Sequence, residues 1–496
     1  MLRTAFVSLT AGLVLFAATA LADAGAVMWR GQKLHLSGSN VAWQNYGVDF
    51  GRVEEWGNYC AYDHATTDSM FSNIVAAGGN CVRWWVFCDG RASPEFSSTN
   101  GGTVVGLDPM VQANLDDAIA LAEAHGIYLI FCLWDFGMLF DDSTASGRGE
   151  HAGGHRNLIA DAAARGTFIT NALLPILRHP VTNSTYTIAT HPQVLAWEII
   201  NEPEWGITES GAVDSSIHAP VSLAQMQEFT AVLSGTIHRN ANQLVTLGSA
   251  CLKWNSSTAL GAAGNWWADS ELTRYDADGA LDFYQIHYYG WMNGDSVYWS
   301  YSPLFNSTAT ASLDKPTVVG EFPANGAGTT WTVRQILDGC YSNGYAGCWS
   351  WTYLGNDSNG SWTDSSAAYA TFGTNHRNEI RPPSDFDRDG DGVSDIAEYI
   401  AGTDSSASNG CLTAALLLGT NNLLQIAFEA EKAEGPGYGG VNRYYAVDRS
   451  DSLAPVAWQS VAGYSRIASS NSAVTCSMPA TNSAGFFRVR AWLANR

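Results

Sequence analysis

The sequence predicts an α/β protein, a (β/α)8 barrel followed by a calcium-loop linker and a small all-β sandwich. Three observations carry this. About eight apolar runs of strand length alternate with helical patterns over roughly the first 350 residues. Polar residues recur at the C-terminal ends of those runs: Asn40, Arg83, Asp135, Asn201, Glu202, His287 and Glu321. After Arg381-Pro382-Pro383 the periodicity changes to an acidic loop and then to short alternating runs. A doubly wound open sheet would share the alternation. It would gather its ligands at one switch point and usually carry a Gly-rich phosphate loop, and no such loop is found.

The 496 residues exceed one average domain, and a hydrophobic content of 46% supplies large cores. The net charge is −22, with 25 Lys+Arg against 47 Asp+Glu. Such a chain is a poor partner for nucleic acid or an anionic membrane, whereas a neutral polysaccharide meets no such repulsion. Of the 19 Trp, 17 precede residue 380, which loads aromatic surface into the first domain. Most of these are expected to be core.

In chain order, Arg3 and the apolar Phe6 to Ala18, followed by Ala20-Leu21-Ala22, read as a cleaved signal peptide, residues 1–22, with Asp23 as the mature N-terminus. The barrel is expected over 23–381. Its first strand is KLHLSGSNVAW, 33–43. A helix over 66–78 ends at Gly78-Gly79, and NCVRWWVF, 80–87, is the second strand. Residues 108–125 form a helix with Asp108-Pro109 as N-cap and N1. A third strand spans 127–136, and 157–178 is helical. The fourth strand, 194–200, runs into Asn201-Glu202-Pro203. A helix over 222–240 leads to a strand at 244–247. Three more strands follow at 281–289, 316–322 and 345–353.

Cleavage between sugars needs two carboxyl groups across the scissile bond. Glu202 closes the fourth apolar strand, and Glu321 closes the seventh after Gly320, which lets the backbone pass close. In a barrel all strand ends ring one mouth, so the two converge. Arg83 is placed to hold a carboxylate ionised. His287 and Tyr289 share one strand face.

With Asn201-Glu202-Pro203, Glu321, Arg83, His287-x-Tyr289 and the WSW of 349–351 in this order, the chain resembles glycoside hydrolase family 5. It is most similar there to endo-β-1,4-mannanases of the mollusc type, through SNVAWQNYGVDFG (39–51), GGNCVRWWVFCDGRASPEF (78–96), WEIINEPEW (197–205), LDFYQIHYYGW (281–291) and TVVGEFPANGAG (317–328). The resemblance covers about residues 33–353. It implies a retaining endo-hydrolase of β-1,4-linked mannan, glucomannan and galactomannan, with Glu202 as acid/base and Glu321 as nucleophile, their carboxyl groups roughly 5–5.5 Å apart. It further implies Asn201 on the sugar 2-hydroxyl, Arg83 and Tyr289 orienting Glu321 and keeping it ionised, and His287 positioning the site. Trp349 becomes the sugar platform with Trp351 as runner-up, and Trp43 is a further substrate-binding residue. The alternatives are a β-1,4-glucanase and, from another class, a non-catalytic carbohydrate-binding barrel. Trp134-Asp135-Phe136 departs from the family, many of whose members place a histidine there.

No cofactor is expected for catalysis. DRDGDGVSDIAE, 387–398, fits a Ca2+ loop with ligands Asp387, Asp389, Asp391, the Val393 carbonyl, Asp395 and bidentate Glu398. Calcium is read as structural, stiffening a linker over 385–404. His151 and His155 lie among glycines, a poor context for a metal pair. The last unit, 410–496, reads as a β-sandwich, with Trp458 and Trp492 expected in its core. Nine cysteines leave at least one unpaired within the chain, and export permits disulfides. Cys60–Cys88 and Cys411–Cys476 are possible pairs.

Overall fold

The computed structural model describes residues 25–30, 32–97, 102–141, 151–256, 264–294, 301–382, 393–403, 412–418, 423–434, 441–452, 458–479 and 485–495. The signal peptide, Cys411 and the loop aspartates Asp387, Asp389 and Asp391 lie outside these residues, as does the side chain of Asp395. The chain divides into two compact units, one ending at Ile380 and the other starting at Arg381.

Eight strands close the barrel of the first unit: β1 Leu36–Ala42, β2 Cys81–Cys88, β3 Tyr128–Asp135, β4 Val194–Asn201, β5 Leu244–Ser249, β6 Tyr284–His287, β7 Thr317–Pro323 and β8 Gly347–Trp351. Each pairs in parallel with its sequence neighbours, and β8 returns to β1. Nearly every residue of these strands is buried, as expected for strands covered on both faces. A short antiparallel hairpin, Val27–Trp29 with Gln32–Leu34, precedes the barrel.

The helices begin where their caps dictate. Asp63 accepts from Thr66 N–H to start α1, His64–Ala76, two residues ahead of the expected span. Asp108 caps α2, Pro109–His125, which ends at Gly126 with φ 63°. Ser222 and Gln225 form a capping box at α3, Leu223–Asn240, as Thr332 and Gln335 do at α4, Val333–Ser342. Ser361 and Asp364 do the same at α5, Trp362–Asn375. The expected single helix over 157–178 is instead Arg156–Ala160, Ala162–Phe168, a π turn Ile169–Leu173 and Leu174–Arg178. The break at Asp161 lets its carboxylate cap Ala164 N–H. Pro175 has no N–H to give a preceding carbonyl, and the wider turn lies just ahead of it.

Among its described residues the second unit has a short helix α6, Asp395–Ala401, and seven strands: β9 Ala414–Leu418, β10 Leu423–Ala430, β11 Val441–Ser450, β12 Gln459–Ser460, β13 Ile467–Ala468, β14 Ser472–Pro479 and β15 Phe486–Asn495. One sheet orders β9-β10-β14, and the other joins β11 to β12, β13 and β15. Ile426, Phe428, Cys476 and Met478 of the first sheet pack with Tyr445, Val447 and Val489 of the second. Arg443 anchors α6 by donating to the carbonyls of Tyr399 and Ile400.

Two expectations are corrected. Trp458 and Trp492 are outside the sandwich core. Strand alternation turns Phe487, Val489 and Ala491 inward, which puts Trp492 on the opposite face. Cys60 and Cys88 are both free thiols. Cys60 donates to the Asp49 carbonyl and accepts from Asn114, while Cys88 is buried among Trp85, Cys132 and Trp351. Cys476 is also free and buried.

Candidate active site

The strand ends line up in register, Trp351 beside Asn40, Asn40 beside Arg83, Asp135 beside Asn201, and His287 beside Glu321. Below them, Leu36, Cys81, Ile130, Ala196, Phe283, Val318 and Trp349 fill the barrel. Above them opens a cleft of 660 Å³.

Arg83, fully buried, organises the floor. Its Nε and Nη2 donate to the two oxygens of Glu198 at 2.6 Å each. Nη1 donates to Glu321 Oε1 at 2.6 Å and Asn40 Oδ1 at 2.9 Å, and Nη2 also donates to Asn201 Oδ1 at 2.6 Å. All five guanidinium N–H groups are therefore engaged. Gly248 makes room for this, because a Cβ there would lie 2.4 Å from Glu198 Oε1. A Cβ at Gly320 would lie 2.2 Å from Gln285 Oε1, so the close passage expected of that glycine is real.

Glu321 ends in two directions. Oε1 meets Arg83, and Oε2 accepts from Tyr289 OH at 2.6 Å. Burial pushes its carboxyl above the usual range, while His287 and Arg83 pull it back. Arg83 thus favours the ionised form of Glu321 against the burial that opposes it. Its bidentate contact goes to Glu198, whose burial opposes the charge but is outweighed by Arg83, so that Glu198 is the carboxyl held low.

Glu202 sits in the left-handed region, φ 45° and ψ 48°, a conformation that costs a non-glycine residue roughly 1 kcal/mol or more. Its N–H donates to Gly248 O at 2.6 Å. The carboxyl accepts from Trp205 Nε1 at 2.8 Å, and its other oxygen lies 2.8 Å from His287 Nδ1. Burial raises it to about 7. Burial likewise lowers His287 to about 4, so the imidazole is neutral where Glu202 titrates. Single ligand atoms of Glu202, His287 and Glu321 all fall within 4.8 Å of one another.

Two residues on, Glu204 is completely buried and does not line the cleft. Its carboxyl accepts from Ser249 Oγ at 2.6 Å, Trp267 Nε1 at 2.9 Å and Ala250 N at 3.0 Å, which ties the Glu202 turn to the end of β5. Asp135 accepts from Asn201 Nδ2, Tyr46 OH and Gly137 N, and burial raises it to about 7. The second amide N–H of Asn201 has no partner among the described residues, and Asn201 lines the cleft.

Trp43, Trp85 and Trp351 form one aromatic wall, with centroids 5.0 to 5.6 Å apart. Trp205 and Trp291 form another, 6.3 Å apart. Trp351 donates through Nε1 to Asp357 at 2.9 Å. The platform expected at Trp349 is corrected to Trp351. Both point into the barrel, but two residues along a strand is about 6.6 Å, and Trp349 lies that much deeper in the packed interior. Reading by strand ends missed Glu198, Glu204, Trp85 and Trp291. His151 and His155 are structural: His155 contacts the His151 carbonyl and stacks on Phe96 at 4.0 Å.

No family profile matches the chain. It is 30% identical over 344 residues to a mannan endo-1,4-beta-mannosidase of Cryptopygus antarcticus, covering 65% of this chain and 81% of that protein. It is 29% identical over 373 residues to the Mytilus edulis enzyme of the same name, covering 69% and 92%. Among solved structures it is similar to the endo-1,4-beta-mannanase of Eisenia fetida, with TM-score 0.58, 29% identity and coverage of 70% and 92%. On this similarity and the closed parallel barrel, the chain belongs to the family of mannan endo-1,4-beta-mannosidases, which are glycoside hydrolases.

Proposed function

We propose that the chain is a secreted, retaining hydrolase of β-1,4-linked mannan, glucomannan and galactomannan. The observation that carries the reading is the pair Glu202 and Glu321 on β4 and β7, with one oxygen of each within 4.8 Å. That proximity supports double displacement, whose carboxyl groups stand closer together than those of an inverting enzyme. Glu321 attacks the anomeric carbon, and Glu202 protonates the leaving oxygen. Water then takes the leaving group's place, Glu202 accepts its proton, and the glycosyl–Glu321 ester is cleaved. The raised Glu202 suits a group that must hold a proton near neutrality. Tyr289 and Arg83 orient Glu321, and His287 sits between the two carboxyls. Asn201 meets the 2-hydroxyl with its remaining N–H, and Trp351, Trp43 and Trp85 take sugar faces.

Proton NMR of the first product released from a manno-oligosaccharide tests this. The β anomer is expected, and an initial α anomer overturns retention. Galactomannan and glucomannan are expected to be cut faster than carboxymethyl cellulose or xylan. Preferential cutting of carboxymethyl cellulose would make the enzyme a glucanase.

Calcium at Asp387, Asp389, Asp391, Val393, Asp395 and Glu398 belongs to the same proposal. Complete burial of Glu398 on α6 supports it, because a carboxylate leaves water only for strong partners. A chelator is expected to lower the melting temperature of the intact chain and leave the initial rate at 25 °C unchanged. An unchanged melting temperature overturns the site. Export with cleavage near Ala22 is tested by the N-terminal sequence of protein recovered from the medium.

A further inference from the structure

The last stretch of the second unit reverses the charge balance of the chain. Residues 441–495 contain five arginines and two aspartates, with no lysine or glutamate, in a protein of net charge −22. Arg443 is internal. Three others gather with aromatics on the outward face of the β11–β15 pair. Register places Tyr444 opposite Trp492, Ala446 opposite Arg490 and Asp448 opposite Arg488, so these side chains share one face. Tyr444 and Trp492 stack at 5.9 Å. Arg466 lies over Tyr444 at 4.3 Å, Arg490 over Trp492 at 4.8 Å, and Arg488 over Trp458 at 4.6 Å.

The charges on this face do not cancel. Asp448 is shared between Arg488 and Arg490, at 2.9 and 3.2 Å. Arg466 is exposed and has no carboxylate partner among the described residues. Two positive charges therefore remain beside a planar aromatic pair.

We propose that this face binds an acidic polysaccharide, a sugar chain carrying spaced carboxylates or sulfates. Aromatic planes accept sugar-ring faces, and guanidinium forks pair with carboxylate or sulfate oxygens. Nucleic acid is disfavoured as the occupant. Its charge is dense, one per about 1.7 Å of duplex, so the acidic remainder of the chain repels it more strongly than a sugar chain whose charges are widely spaced. The catalytic cleft takes a neutral chain, so an acidic one held here would tether the enzyme to a mixed matrix.

Affinity electrophoresis of the full chain through gels containing polygalacturonate, dextran sulfate or galactomannan tests this. Retardation by at least one acidic polymer is expected at low salt, and the polymer that retards names the anionic group. It is expected to disappear at about 0.5 M salt and to weaken roughly tenfold in Arg466→Ala/Arg490→Ala. Hydrolysis of a soluble manno-oligosaccharide is expected to stay unchanged in that variant. Arg466→Gln, at an exposed position, serves if the double variant does not fold. Equal retardation of wild type and variant, retardation by galactomannan alone, or tighter binding of single-stranded DNA than of either acidic polymer overturns the proposal.

Discussion

Arg83 and Glu198 face each other through two parallel 2.6 Å hydrogen bonds at the centre of the barrel, and both side chains are completely buried. Glu198→Ala is expected to cost roughly 3–5 kcal/mol, measured by denaturant unfolding, because it strands part of a buried guanidinium. Glu198→Gln has a more specific outcome. It leaves Glu321 as the one carboxylate paired with Arg83, so the acid limb of the kcat/KM profile is expected to move to lower pH. An acid limb that stays put would mean that Glu198 does not compete for Arg83.

The basic limb should report Glu202. Activity is expected to fall as pH rises through about 7, where the raised carboxyl loses its proton. The Trp205 N–H favours the ionised form. Trp205→Phe is therefore expected to lift the basic limb by roughly one pH unit, as read from kcat/KM profiles.

Glu204 separates geometry from chemistry. Glu204→Gln places an amide against Ser249, Trp267 and Ala250 donors and loosens the turn that carries Glu202. Steady-state kinetics are expected to show kcat roughly tenfold lower with KM nearly unchanged.

Buried carboxyls also set the response of stability to pH. Burial raises Asp49 to about 6, and Asp135, Glu202 and Glu204 to about 7. Unfolded, these groups titrate near 4. Between those values the folded chain holds more protons than the unfolded one. Their stabilisation is complete below about pH 4 and lost as pH rises through 6 and 7. Unfolding free energies are expected to decrease from pH 5 to pH 7 and level off above it, by at most about 1.4 kcal/mol per pH unit for each such group, Asp49 ceasing to contribute near pH 6, with a shallower slope in Glu204→Gln.

The two tryptophans of β8 are expected to differ in kind. Trp351→Ala should raise KM several-fold, with a smaller loss of stability than at Trp349, because the ring lines the cleft and keeps some exposure. Trp349→Ala should cost about 3–5 kcal/mol in unfolding experiments, because it empties packed barrel interior.

The barrel and the meeting of Glu202 with Glu321 are legible because apolar runs stop abruptly at these charged residues and because strand ends of a barrel must converge. Glu198 carried a signal that a scan of strand ends passes over: a carboxylate inside LAWEIIN is buried and needs a partner. Depth along a strand was not legible, so Trp349 and Trp351 were exchanged. Alternation in β15 was written plainly in FFRVRAW, yet the inward set was assigned wrongly because tryptophan weighs toward a core by size alone. The free Cys60 and Cys88 thiols show that a cysteine count does not say which side chains meet. The break at Asp161 and the π turn before Pro175 follow from local hydrogen bonding that periodicity does not register.

The five engaged donors of Arg83 have a consequence for selectivity between reactions. One guanidinium stands between Glu198 and Glu321, so the cleft floor keeps an excess of negative charge even while Glu202 is protonated. A ring that gathers positive charge as its glycosidic bond breaks is drawn to such a floor. An enolate or a phosphoryl group in transfer would be pushed away from it. The same arrangement that holds Glu321 thus screens the kinds of transition state the barrel can host.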